Sequence, residues 1–68
     1  MFIVIQHGFD VKWCKTPTEV SRYLCNLFGL DYKTHFLPLH DFADSMQEGQ
    51  KVFHDDLALE IQRDPKSL

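Results

Sequence analysis

Cysteine is scarce in this chain: there are only two, Cys14 and Cys25, and their spacing fits no disulfide framework. No basic stretch followed by an apolar one, of the kind that directs secretion, opens the sequence. Reduced thiols and a cytoplasmic location are the expectation. Long apolar runs are missing as well. The longest, residues 2–5 and 36–39 (the second containing Pro38), fall far short of the roughly 20 residues that cross a bilayer, so no membrane span is expected. Positive charge is thin: Lys12, Lys15, Arg22 and Lys33 stand against Asp10, Glu19 and Asp31 in residues 1–40. That is too little to follow a phosphate backbone, and nucleic-acid binding is disfavoured. No Ser–His–acid order, Gly-rich phosphate loop, close carboxylate pair, His-x-x-x-His or Cys-x-x-Cys occurs. His7, His35, His40 and His54 therefore read as surface histidines, and no metal is expected. The adjacency of His40 and Asp41 says little, because consecutive side chains need not converge. Internal repeats and low-complexity segments are also lacking.

What is present suits a folded core. Of 68 residues, 44% are hydrophobic and six are Phe, unlike a disordered chain. This length suits one domain, residues 1–68, near the size at which folding buries only about 60% of the unfolded surface. Small chains of this kind often lean on a disulfide, a metal or a partner subunit, which makes a homodimer plausible.

The order of local signals predicts a small α+β sheet domain. Residues 2–5, Phe-Ile-Val-Ile, form a β-branched run without polar alternation, as in a central strand buried on both faces. After His7-Gly8, residues 9–14 alternate apolar and polar. This pattern suits a second strand across a tight turn, or a loop leading to a helix. Thr16-Pro17-Thr18-Glu19 supplies a hydroxyl N-cap, a proline at the first helical position and a capping-box Glu. Val20, Tyr23, Leu24, Leu27 and Phe28 then share one helical face and Gly29 follows as a cap, which gives a helix over 17–28. A strand over 33–37, with Pro38 ending it or marking a sheet edge, is expected to complete a β–helix–β unit. Asp41 is expected to cap a short helix over 41–48, ended by Gly49. Residues 51–62 fit two forms. Phe53, Leu57 and Ile61 recur as on a helix, whereas Leu57, Leu59 and Ile61 would share one strand face of a hairpin turning at Asp55-Asp56. Residues 64–68 are expected to fray.

Trp13-Cys14 ahead of the capped helix, followed by Phe28-Gly29-Leu30-Asp31-Tyr32, resembles the first part of the glutaredoxin branch of the thioredoxin fold. There a buried strand leads through a loop to a reactive cysteine at a helix start. Cys14-Lys15-Thr16-Pro17 stands where that family has Cys-x-x-Cys, and Gln50-Lys51 where it has a cis-proline. The resemblance thus implies a single-thiol chemistry at Cys14, with glutathione or a partner disulfide.

Two kinds of site emerge from the residues. Cys14, just before a helix and flanked by Lys12 and Lys15, is placed for a stabilised thiolate. A small buried hydrophobe is the plainer role, and it is also the one expected of Cys25. Between residues 41 and 64, seven carboxylates face only Lys51 and Arg63, a net charge of −5. Such a run is usually a solvated face, but it also suits docking of a protein partner. Phe9 and Trp13 are aromatic candidates for the same contact, unless the core absorbs them. The expected function is a small non-catalytic regulator, inhibitor or adaptor without a cofactor, binding through Phe9, Trp13, Asp41, Asp44, Glu48, Asp55 and Asp56. The alternative is the glutaredoxin-like protein using Cys14.

Overall fold

The computed structural model describes residues 1–64. Its elements run β1 (Phe2–Gln6), β2 (Asp10–Cys14), α1 (Pro17–Phe28), α2 (Tyr32–Ser45), β3 (Lys51–His54) and β4 (Leu59–Arg63). The strands form one antiparallel sheet in the order β2-β1-β4-β3, and both helices lie on one side of it. This is an α+β architecture of two layers.

Register decides which side chains meet the helices. Phe2 pairs with Cys14, Val4 with Ile61 and Gln6 with Leu59, so Phe2, Val4, Cys14, Leu59 and Ile61 share the inner face. All five are buried, together with Val20 and Leu24 of α1 and Ala43 and Met46 at the end of α2. β1 is central as expected, but it is not buried on both faces. Ile3 and Ile5 alternate onto the side that no helix covers, and they are only half-buried.

α1 forms where its caps predict. The Thr16 side chain accepts a hydrogen bond from the Glu19 N–H, and Gly29 closes the helix at φ 64°, donating its N–H to the Cys25 carbonyl. Glu19 in turn accepts from the Lys15 N–H at 2.9 Å, which satisfies a second donor at this end.

The strand expected over 33–37 is absent, and so is the β–helix–β unit it would have closed: these residues belong to α2. Tyr32, Phe36, Leu39, Ala43 and Met46 recur at spacings of four and three, which is a helical stripe. Pro38 sits inside this helix instead of ending a strand. Asp41, expected as an N-cap, lies inside α2, and of the short helix expected over 41–48 only residues 41–45 are helical, as the last part of α2, which ends at Ser45 and not at Gly49. Asp31 occupies the N-cap position; its carboxylate accepts from the Thr34 hydroxyl at 2.7 Å and its carbonyl from the His35 N–H. Ser21, fully buried on α1, donates its hydroxyl to the Phe36 carbonyl at 2.6 Å and pins the two helices together.

Residues 51–63 form the hairpin, not the helix. Its connection is longer than a two-residue turn: one turn of 3-10 helix, Asp55–Leu57, and then Ala58 in the left-handed region at φ 49°. Leu57 therefore leaves the strand face it was expected to share. Asp64, in the segment expected to fray, donates its N–H to the Met1 carbonyl at 2.9 Å; residues 65–68 lie outside the described residues.

Candidate functional site

Three surfaces of the molecule have the character of sites. The first is the uncovered side of the sheet. Because Trp13 pairs with Ile3 and Val11 with Ile5, these four side chains point away from the helices. Phe53, opposite Glu60 on β4, joins them. Trp13 is 56% exposed, Val11 52% and Phe53 63%. The β4 residues between them are Glu60 and Gln62, whose amide donates to the Glu60 carboxylate at 2.6 Å. An apolar face with a polar stripe thus spans the sheet from edge to edge.

Of the residues expected to bind, Trp13 lies on this face and Phe9 in the turn beside it, both exposed. The acidic candidates do not gather around them. Asp41 and Asp44 are exposed on α2, on the helical side of the molecule, and Glu48 is exposed in the loop before β3. Asp55 and Asp56 sit in the β3–β4 connection. The His7 N–H donates to the Ala58 carbonyl at 2.7 Å, which sets that connection beside the β1–β2 turn carrying Phe9. Sequence reasoning passed over Ile3, Ile5 and Phe53. Their alternation along strands was visible, but not which side the helices would cover.

The second surface is a polar recess of about 300 Å³ bordered by Lys12, Cys14, Glu19, Arg22, Tyr23 and Asn26. Lys12 Nζ lies 5.9 Å from the centre of the Tyr23 ring, within the range of a cation–π contact. Cys14 is enclosed here by the core. Burial pushes its thiol pKa above the ordinary value, Lys12 pulls it partly back and Glu19 pushes it up again. A thiol so placed favours its neutral form. Both cysteines are buried and free.

The third is an apolar cleft of about 270 Å³ between the helices and the β3–β4 hairpin. Phe28, Leu39, Phe42, Val52 and Leu57 are among its walls, and His54 is its one titratable side chain. It exists because α2 packs chiefly on α1, which leaves the inner side of the edge strand β3 incompletely covered. At the other end of the sheet the gap is closed. There Arg63 donates to the carbonyls of Asp44 (3.1 Å) and Met46 (2.6 Å) and lies 5.1 Å from the centre of the Phe2 ring.

The histidines do not converge. His40 Nδ1 approaches Asp41 Oδ1 at 3.2 Å on the surface, so this adjacent pair does meet. Among the described residues no three His, Cys, Asp or Glu side chains are placed to share a metal ion, and no helix is long and apolar enough to cross a membrane.

The class that fold and surfaces define is a small two-layer α+β domain with one open sheet face. Comparison with protein-family models, curated proteins and solved structures found no match.

Proposed function

We propose that this chain is a small non-catalytic interaction protein, acting as a regulator, inhibitor or adaptor in the cytoplasm, and that it binds another protein through the open face of its sheet. One observation carries the reading. Trp13, Val11 and Phe53, each more than half exposed, share a face with Ile3 and Ile5, and none of the described elements covers it. Single exposed apolar residues are ordinary; several large ones gathered on one sheet face of so small a domain, here crossed by the polar stripe of Glu60 and Gln62, mark a contact surface. Trp and Phe, carried here on the two edge strands β2 and β3, are residue types that anchor interfaces. Asp41 and Asp44 on α2, Glu48 before β3, and Asp55 and Asp56 in the β3–β4 connection act at a distance, as a field that steers a basic partner, rather than as contacts of the face itself.

Capture from a lysate, together with sedimentation of the pure chain, tests this. A stoichiometric protein partner, or a second copy of the chain, should be held by the parent and lost from a Trp13→Ser/Phe53→Ser double variant of unchanged circular dichroism. Equal capture by both, or no association of either kind at moderate salt, contradicts the reading. The alternative is a glutaredoxin-like protein acting with glutathione through Cys14 at the floor of the polar recess. It requires that thiol to be alkylated faster than an ordinary one at neutral pH.

A further inference from the structure

The cleft between the helices and the β3–β4 hairpin lies on the opposite side of the sheet from Trp13, so nothing in the open-face reading bears on it. Its size limits what it accepts. About 270 Å³ is just below the roughly 300–1,000 Å³ of sites that engulf a small ligand, but it is ample for a bulky side chain projecting from a larger partner. Its polarity is equally restrictive: apart from His54, every side chain named as its wall is hydrocarbon, so the group that enters must be apolar.

Charge at the rim then selects the partner. Asp31 follows the wall residue Leu30, and Asp55 and Asp56 lie between the wall residues His54 and Leu57. All three carboxylates are exposed. No Lys or Arg lines the cleft. The nearest in sequence, Lys51, precedes Val52 on a strand and so points to the other side of the sheet. Asp41 adds nothing here, since it is turned more than a quarter-circle from Leu39 and Phe42 on the helix. An apolar slot edged by carboxylates complements a segment with one apolar side and flanking cations.

We propose that this cleft docks a basic amphipathic helix of a partner protein, which seats one bulky apolar side chain against Leu39, Phe42, Val52 and Leu57 and sets Lys or Arg beside Asp31, Asp55 and Asp56. Two clusters that the fold leaves exposed, the rim carboxylates and the unfilled cleft, thereby belong to one site.

Fluorescence anisotropy of the full chain with labelled synthetic peptides tests it. The probes are a helix with Leu on one side and Lys on the other, a scrambled peptide of the same composition, and the Glu counterpart of the first. Unlabelled decanoate serves as competitor. The Leu–Lys helix should bind at least about tenfold more tightly than either control, a difference of about 1.4 kcal/mol, and should weaken with added salt. Leu57→Ser or Phe42→Ser, at partly exposed rim positions that tolerate polarity, should cost about tenfold in affinity. Asp55→Asn/Asp56→Asn should weaken binding at low salt, and Trp13→Ser should leave it unchanged. Equal binding of the scrambled peptide, displacement of the helix by decanoate, loss with Trp13→Ser or absence of peptide binding would each overturn the proposal.

Discussion

Arg63, on β4, ties the end of α2 to β1. One guanidinium nitrogen donates to the last carbonyls of α2 while the planar group lies over Phe2, so it caps a helix and covers the core at once. Hydrogen bonds from a charged donor contribute about 1.5–3 kcal/mol. Arg63→Ala should lower stability by about 2 kcal/mol, read from urea unfolding, and Arg63→Lys should recover only part of it. In the sequence Arg63 counted merely as one cation among acids, because its partners lie on an element distant in the chain. Cys14 shows the opposite case. Its place before a capped helix was legible, but its enclosure depends on pairing with Phe2 in register. The raised thiol pKa has a consequence for stability. The folded state holds the proton more tightly than the unfolded chain, so the contribution is full below the ordinary value of about 9.0. It is lost as pH climbs from there through the higher native value. Cys14 should react slowly with iodoacetamide at neutral pH and at the rate of a free thiol once urea unfolds the chain. Stability should fall as pH rises above about 9.

At the scale of elements, β1, its hairpin with β2 and helix α1 were readable because their determinants are local: a β-branched run, His7-Gly8, the Thr16 cap and Gly29. The hairpin of β3 and β4 was obscured by its connection, which uses Ala58 where glycine would announce a left-handed residue. A residue with a Cβ costs about 1–2 kcal/mol in that region. Part of that cost returns when glycine's extra unfolded-state freedom is lost. Ala58→Gly should therefore stabilise by about 0.5–1 kcal/mol, seen as a melting temperature higher by a few degrees. α2 was missed for a different reason. Pro38 reads locally as a strand ending or edge, although the stripe from Tyr32 through Phe36, Leu39 and Ala43 to Met46 keeps helical spacing across it. Proline there lacks the N–H that would bond the Thr34 carbonyl. Since Pro38 is exposed, Pro38→Ala removes no packing and should stabilise by about 1–2 kcal/mol after the loss of proline's restraint on the unfolded chain. Thermal unfolding of the two variants measures both effects.

The whole molecule is two layers where larger sheet domains often have three, and that is the root of its functional reading. Helices on one side bury Phe2, Val4, Leu59 and Ile61, while Ile3, Val11, Trp13 and Phe53 are left to whatever meets the other. Composition could say that so small a chain would struggle to bury all its aromatics. It could not say which, because that depends on β1 pairing with β4 from the opposite end of the sequence. The acidic stretch, continuous as sequence, is divided by the fold between α2, the loop before β3 and the hairpin turn. Asp55 and Asp56 are thereby parted from Asp41, Asp44 and Glu48.

If the open sheet face is a protein contact, its exposed aromatics must hold the partner. Quantitative capture and sedimentation of the parent chain beside the Trp13→Ser/Phe53→Ser variant tests it most directly. The parent should hold a stoichiometric protein partner or a second copy, and the variant, with unchanged circular dichroism, neither. A variant that associates as well as the parent, or a parent that associates with nothing, would contradict it.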